Sequence, residues 1–527
     1  MFEIKIFIVF FLIIDFINAQ DDTPQWRPSF HFTPEKNWIN DPNGLFYHNG
    51  IYHIFFQYNP YGNQWGSMSW GHAISSDLFH WDELPVAILS QQTEDIFSGS
   101  IVIDEKNVTG FATNNNNPPI VAIYTSAYKQ DSNHSSGAQA QSIAYSLDTM
   151  AENFQFYPNN PVLNLSPEQN DFRDPKAIWY EKGNYWVLAT VIADQFTVRF
   201  WKSTNLLQWE KLSDFTISHV PHDGAQWECP DLFPLFLDGN NSTLKWVLIV
   251  NVNPWGIAGG SGGMYYIGDF DGKIFTAQNV PAAGSDFADF NWLDHGADFY
   301  AASSFYNLQN PYEPILIGWM NNWDYAGALP TFPWKGAFSI PRKMSLKTIN
   351  GAPKLVFNPV QQFSNLIAEG QTFYIRPFGV SSSIKVLEDR TRGILQNIEF
   401  TIKPSTAKKA GIIVRGNSDC SLGTKIIFDI EHSTLTVDRS KSGKIDFSNK
   451  FSLQHTVKNM TVNSQGLFNI QVIVDRGSIE VFAGDYSSPI TDIIFPSIDM
   501  NYLAFFAEDG SAAFQNISVT NLPIILS

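Results

Sequence analysis

Two cysteines among 527 residues, Cys229 and Cys420, are too few for a disulfide framework, so the fold has to rest on packed apolar cores. They lie far apart along the chain and read as two free thiols. Neither has Cys or His neighbours at ligand spacing, which speaks against a zinc site. Positive charge is also scarce: 33 Lys and Arg stand against 51 Asp and Glu, a formal net charge of -18, and no basic run interrupts it. Such a surface repels a polyanion, which excludes nucleic acid as a partner. Past the N-terminus no apolar run approaches the roughly 20 residues that a membrane-crossing helix needs. Helical periodicity is nearly absent before Pro359.

The one unbroken apolar stretch, Ile6 to Ile14, ends at Asp15 and the small-residue close Asn18-Ala19. It reads as a secretory signal peptide over residues 1–20, which predicts a secreted, extracellular chain with no membrane attachment after its removal. Asn-X-Ser/Thr sites at Asn107, Asn133, Asn164, Asn240, Asn241, Asn459 and Asn516 fit an exported glycoprotein. No motif speaks to oligomeric state.

What fills the chain is strand after strand. Tyr52 to Gln57, Val121 to Tyr124, Tyr185 to Val191, Lys245 to Val252 and Ile315 to Met320 are short runs bounded by Gly, Pro, Asn or Asp. With aromatics at 15%, this predicts an all-β architecture, since a parallel α/β fold needs helices between its strands. One short helix is predicted after Asn358-Pro359, where Val360, Phe363, Leu366 and Ile367 repeat at helical spacing, in a linker over residues 351–370. Beyond it the pattern turns to alternating β-branched strands such as Asn397 to Ile402 and Phe468 to Val474, a β-sandwich signature over residues 371–527. Residues 21–350 are too many for one simple sandwich but suit a β-propeller, whose blades take about 40 to 50 residues each. No internal repeat reveals the number of blades.

Three acidic motifs carry the chemistry: Asn40-Asp41-Pro42-Asn43-Gly44, Asp171-Phe172-Arg173-Asp174-Pro175 and Trp227-Glu228-Cys229-Pro230-Asp231. Each sets a carboxylate beside a proline among aromatics, and together they can supply the nucleophile, charge stabiliser and proton donor of glycosidic bond cleavage. Asp41 also fits an ordinary Asx turn, although a turn beside Trp38 is where a scaffold can hold a carboxylate against a sugar, with Asn40 bonding a hydroxyl. Glu228 is the candidate acid, because Trp227, Cys229 and Pro230 offer apolar surface that disfavours the charged form, and a donor must start protonated. Asp174 reads equally as a local salt bridge with Arg173 or as half of a hydroxyl-binding pair. In the second case it would counter the positive charge of an oxocarbenium-like transition state.

This set resembles glycoside hydrolase family 32, the family of invertases, exo-inulinases and levanases. Phe56-Gln57-Tyr58-Asn59-Pro60, Trp70-Gly71-His72-Ala73, Phe97-Ser98-Gly99-Ser100 and Asp298-Phe299-Tyr300-Ala301-Ala302 fit the family in the same order. The resemblance implies a five-bladed β-propeller followed by a C-terminal β-sandwich, a pocket at the propeller axis, and no metal or organic cofactor. It assigns Asp41 as nucleophile, Glu228 as acid/base and Asp174 as transition-state stabiliser, with retention through a covalent fructosyl-enzyme. It also implies a fructose site lined by Asn40, Gln57, Trp65, Phe97, Ser98, Arg173 and Trp319. By themselves Gln57, Trp65, Ser98 and Trp319 read as strand alternation, turn or core residues. Ile39 stands where family members often carry Met, and the match in the sandwich, Leu435 to Ser440 and Ser478 to Phe482, is shorter.

Sucrose and fructans present the same terminal fructosyl unit and differ in the leaving group. The stretch Gly318 to Tyr325, with Ser339-Ile340-Pro341-Arg342 and Trp227 to Asp231, is closer to exo-inulinases and levanases. That implies exo-acting hydrolysis of inulin and levan, with sucrose as a second substrate. The alternatives are a sucrose-preferring invertase, a fructosyltransferase using the same intermediate, an inert sugar-binding module, and an inverting arabinan furanosidase with more widely spaced carboxylates.

Overall fold

The computed structural model describes residues 25–113, 117–217, 224–278, 280–282 and 284–525, so the signal-peptide reading of residues 1–20 lies outside it. Period-two runs punctuated by turn residues form five sheets in succession, each with four antiparallel strands; these are consecutive in the first four sheets, whereas in the fifth the long connection between the second and third strands carries Trp334–Lys335, which pairs elsewhere. Their inner strands are β1 (Asn37–His48), β2 (Glu94–Ile103), β3 (Phe172–Tyr180), β4 (Gln226–Phe236) and β5 (Tyr300–Ser304). Each inner strand touches the next and β5 touches β1, closing a ring about an axis. The all-β, five-bladed expectation holds.

Two contacts seal the ring. Trp334–Lys335, downstream of β5, adds to the first blade in parallel, pairing Trp334 with Asn37 and Lys335 with Trp38. The Tyr306 backbone, just beyond β5, donates to Leu45 and accepts from Tyr47, at 2.8 and 3.0 Å. Between blades the apolar faces pack face to face. Trp227 and Tyr266 of the fourth blade meet Phe215 of the third, and Phe55 and Trp70 of the first share a cluster with Ile101 of the second.

Every blade departs from regular pairing at the same end of its inner strand. Register shifts fall between Ile39 and Pro42, Phe97 and Gly99, Glu228 and Asp231, and Tyr300 and Ser303; in the third blade the shift lies opposite Arg173. Asp174, Cys229 and Ala301 take left-handed φ values of 60°, 46° and 51°. A bulge of this kind re-aims side chains that plain alternation would send to opposite faces. It also accommodates Pro42, Pro175 and Pro230, because an inner strand is an edge strand and a bulge tolerates a residue without a donor. Gly44 closes the first motif because its φ is 47° and a Cβ there would come within 2.9 Å of Ile101.

The fifth blade runs on to Pro359. Residues 351–359, read from sequence as the start of a linker, contain its outermost strand, Ala352–Pro359, paired with Arg342–Ile349. The cause is the turn Asn350-Gly351, with both φ values positive at 51° and 82°, which is the two-residue hairpin chemistry of a primed turn. Helix α1 (Gln361–Glu369) follows and buries Phe363 and Leu366, with Phe363 against Phe30 and Phe79.

The C-terminal strands form a sandwich around one 20-residue strand, Tyr502–Asn521. Phe378–Val386 pairs along both of its parts, Lys409–Gly416 with the first, and Gln371–Ile375 and Gln396–Pro404 with the second. The bend lies at Asp509 and Gly510, both with positive φ, so one strand serves two layers that share a core including Phe400, Ile412, Phe505 and Phe514. A fully buried ionic network joins this sandwich to the propeller. His31 bonds Asp475 at 2.7 Å and Glu480 at 2.9 Å, Arg342 bonds Glu480 and Asp294, and Arg439 bonds Asp298 at 2.7 Å.

Candidate active site

The bulges on β1 to β4 turn Asp41, Ser98, Asp174 and Glu228 toward one end of the axis, where all four line a pocket of about 370 Å³. Asp41 Oδ2 accepts from Ser98 Oγ at 2.6 Å and from the Cys229 thiol at 3.5 Å, while Oδ1 accepts from Asn40 Nδ2 at 3.0 Å. Asp174 Oδ2 accepts from the Cys229 backbone N–H at 2.8 Å. Glu228 Oε1 accepts from Arg173 Nε and Nη2 at 3.3 and 3.1 Å, and its Oε2 accepts from the Tyr300 hydroxyl. Arg173 is itself held by Asp171 at 2.9 Å and Gln226 at 2.6 Å, so its fork is oriented before any ligand arrives.

Asp41 and Asp174 are both displaced from the ordinary carboxylate range. Burial, and then the charge of Glu228, pushes Asp41 above the usual carboxylate range, against the hydrogen bonds from Ser98, Asn40 and Cys229. Burial pushes Asp174 up to about 7; the Arg173 guanidinium opposes this, and the charges of Glu228 and Asp41 add to it. Arg173 moves up: burial works against its charge, but Glu228, Asp174 and Asp171 outweigh it. Titratable groups perturbed by burial and by one another, gathered in a cleft, mark a chemically active site. The left-handed backbone at Asp174 and Cys229 belongs to the same place, where strained conformations concentrate.

Of the residues expected at a fructose site, Asn40, Gln57, Trp65, Phe97, Ser98 and Arg173 line this pocket together with Asp41, Asp174 and Glu228. Gln57 is buried and donates to the Ile96 carbonyl at 3.0 Å; Trp65 stands half-exposed at the rim, edge-on to Phe97 with centroids 6.0 Å apart. Trp319 is not in the lining. It ends the strand Ile315–Trp319, is fully buried, and packs behind the site against Trp38 and Trp323 at 5.9 and 4.9 Å. Trp323 forms the aromatic wall instead. The reversal comes from the loop after the strand, which Asn322 pins by donating to the Gly259 and Ala297 carbonyls at 3.0 and 2.8 Å.

The surroundings of Glu228 also differ from the apolar setting expected. Trp227 alternates to the opposite face and is buried between blades, leaving Glu228 among a guanidinium, a phenol and Gln226. Cys229 and Cys420 are both free thiols.

Gln139, Asp171, Gln226, Asn253 and Trp323 complete the lining, and Tyr300 reaches Glu228 from the fifth blade. Asp171 opens the second acidic motif and Gln226 directly precedes the third, so extending the third by one position would have reached it. Trp323 and Tyr300 lie within segments already singled out. Gln139 and Asn253 carry no local signature.

Comparison with known proteins agrees with this geometry. The model of the glycosyl hydrolases family 32 N-terminal domain matches residues 31–359 and that of the family's C-terminal domain matches residues 376–521. The extracellular exo-inulinase of Aspergillus awamori is 40% identical over 522 residues, covering 95% of each chain. The levanase of Bacillus subtilis (strain 168) is 39% identical over 526 residues, covering 98% of this chain and 74% of that one. The crystal structure of the exo-inulinase from Aspergillus awamori superposes with a TM-score of 0.88 at 36% identity, over 95% of this chain and 99% of that one. With propeller and sandwich both matched in order, the chain belongs to glycosyl hydrolases family 32.

Proposed function

We propose that the protein is a secreted, retaining β-fructosidase that releases terminal β-D-fructofuranosyl units from inulin and levan, and from sucrose as a second substrate. The observation that carries this reading is the meeting of Asp41, Asp174 and Glu228 in one pocket, with Glu228 held by Arg173 and Tyr300. The axis beneath them supports exo action. Among the described residues, a void of about 20 Å³ lies below the pocket, and Lys176 in its wall is buried and ion-paired with Asp231 at 3.1 Å. A blind pocket takes a chain end rather than a chain middle.

In this reaction Glu228 gives its proton to the glycosidic oxygen while Asp41 attacks C2, so the C–O bond breaks as a fructosyl ester forms. Glu228, now a carboxylate, takes a proton from water, which attacks C2 and releases fructose and the free Asp41 carboxylate. Asp174 and Arg173 hold neighbouring hydroxyls, and the charge of Asp174 favours the cationic transition state. Asn40, Gln57, Trp65, Phe97, Ser98 and Trp323 shape the fructosyl site. Export is read from the apolar segment Ile6 to Ile14, and a related exo-inulinase is named extracellular.

A time course of products from sucrose, inulin and levan tests the reading. Free fructose should accumulate from the first minutes with the anomeric configuration retained. Elongated oligomers would mark a transferase instead, and an inverted product would exclude the covalent ester. Asp41→Ala and Glu228→Ala should each abolish turnover in a folded protein; near-normal rates in either would remove that residue from the mechanism.

A further inference from the structure

Two residues at the pocket are held from behind by the sandwich. Tyr300, whose hydroxyl donates to Glu228, and Trp323, the aromatic wall, come from separate segments of the chain. Asp298 precedes Tyr300 by two positions, and Tyr325 follows Trp323 by two. A single side chain of the sandwich, Arg439, bonds both Asp298 and Tyr325.

Arg439 stands just after the strand Thr434–Asp438 and is fully buried. Its Nη1 donates to Asp298 Oδ2 at 2.7 Å and its Nη2 to the Tyr325 hydroxyl at 3.1 Å; that hydroxyl donates in turn to Asp298 Oδ1 at 2.6 Å, which closes a triangle. On the sandwich side Nε donates to the Ser452 carbonyl at 2.7 Å and Nη1 to the Ile493 carbonyl at 2.9 Å, with the guanidinium 3.7 Å above the Phe451 ring. A planar fork with fixed donor directions can hold two anchors in its own domain and two in the other at once. The single ammonium of a lysine cannot.

The backbone completes the grip. Asp298 Oδ2 also accepts from the Ile493 N–H at 2.9 Å, the Asp298 N–H donates to the Thr491 carbonyl at 3.1 Å, and the Ala297 N–H donates to Asp492 Oδ1 at 3.1 Å. Gly296 permits this approach, since a Cβ there would come within 2.1 Å of the Thr491 carbonyl oxygen. The Ala297 carbonyl accepts from Asn322 Nδ2 at 2.8 Å, so the segment leading to Tyr300 and the one carrying Trp323 are also tied to each other. The chain that enters the pocket beside Glu228 is therefore bonded to the sandwich strand Ile490–Ile493 up to two residues before the phenol. Displacing a reacting group by about 1 Å through a distant change can cost about 10²-fold in rate.

We infer that Arg439 is a positioning residue for the reaction: through Asp298 it sets the Tyr300 phenol against Glu228, and through Tyr325 it sets Trp323 against the sugar. The sandwich thereby contributes to turnover and to sugar binding without touching the substrate. The inference rests on the β-fructosidase reading and adds to it a residue of the second domain.

The test measures kcat and KM for fructose release from sucrose on the purified full-length protein, well below the Tm of each variant. Tyr325→Phe removes the hydroxyl that serves the Trp323 side and leaves Asp298 bonded to Arg439, so KM should rise about fivefold with kcat little changed. Arg439→Lys keeps the charge and loses the fork, so kcat should fall about 10- to 100-fold in the folded protein. His31→Gln weakens the same interface at a place with no bond to either segment; it should lower Tm yet keep the kcat and KM of the wild type. Wild-type constants in both Tyr325→Phe and Arg439→Lys would overturn the inference, as would a His31→Gln variant that loses kcat and KM in the same proportion, since the interface would then act through stability alone. If Arg439→Lys fails to fold, Tyr325→Phe decides by itself, and an unchanged KM overturns the inference. A wild type that releases fructose from no substrate overturns the β-fructosidase reading as well, whereas an active wild type with indifferent variants overturns this inference alone.

Discussion

Asp174 Oδ2 accepts the backbone N–H of Cys229 at 2.8 Å, so the bulge that carries Glu228 in the fourth blade also fixes the carboxylate contributed by the third. Both residues sit in left-handed backbone, at φ 60° and 46°, and the Cys229 thiol reaches on to Asp41 at 3.5 Å. One residue thereby ties together two carboxylates from separate blades.

Asp174→Asn keeps the shape and removes the charge. If Asp174 favours the cationic transition state more than the bound sugar, kcat should fall by about 10²–10³ while KM moves little. Steady-state kinetics on sucrose and inulin check this. Equal losses in kcat and in substrate affinity would make Asp174 a binding group only.

The two tryptophans should separate cleanly. Trp323→Ala should lower kcat/KM with little change in Tm, because Trp323 faces the pocket. Trp319→Ala should cost about 3–5 kcal/mol of stability, because it empties a fully buried site behind the pocket. Thermal melts beside kinetics on both variants decide the matter; a reversed pattern would restore Trp319 as the aromatic wall.

The buried interface between propeller and sandwich predicts a stability profile. Burial alone would lower His31, but its bonds to Asp475 and Glu480 and their charges outweigh that and push it up to about 9. Its unfolded value is 6.5, so its contribution, about 3 kcal/mol, is complete below pH 6.5 and is lost as pH rises through 9. Asp475 and Glu480 are pushed down: burial raises them, but His31 and, for Glu480, first Arg342 outweigh it. Their contribution is present above the ordinary carboxylate range and lost in acid. Tm should therefore fall between pH 6.5 and 9, and His31→Gln should flatten that limb while lowering stability throughout. A wild-type Tm that stays level across that window would contradict the arrangement.

Cys229 should be chemically quiet despite its place in the pocket. Burial, followed by the charges of Asp174, Asp41 and Glu228, pushes its thiol well above the usual range, and the thiol rather than the thiolate is a poor nucleophile. At neutral pH, alkylation followed by mass spectrometry should label Cys229 far more slowly in the native protein than in urea, with activity retained. Rapid native labelling would mean a thiolate at that position.

Much of this was legible in the chain before folding. Strands show in the sequence because their signals are local: apolar runs of a few residues closed by Gly, Pro, Asn or Asp, with helical spacing confined to the segment around Phe363 and Leu366. The three acidic motifs are local too, each a carboxylate beside Pro42, Pro175 or Pro230 among aromatics, although the bulges that carry them appear only in the fold. The Asn350-Gly351 turn was equally readable, and it extends the fifth blade through Pro359. What no local pattern contains is the ring. Five blades are set by how many sheets close around one axis, and that closure brings Asp41, Asp174 and Glu228 from three separate strands into one pocket. It also sets Tyr300 of the fifth blade against Glu228 of the fourth, turns Trp227 away from Glu228, and decides that Trp323 rather than Trp319 faces the pocket. Side-chain direction at a bulge depends on backbone angles and on neighbours from other blades, so only the assembled propeller could determine it.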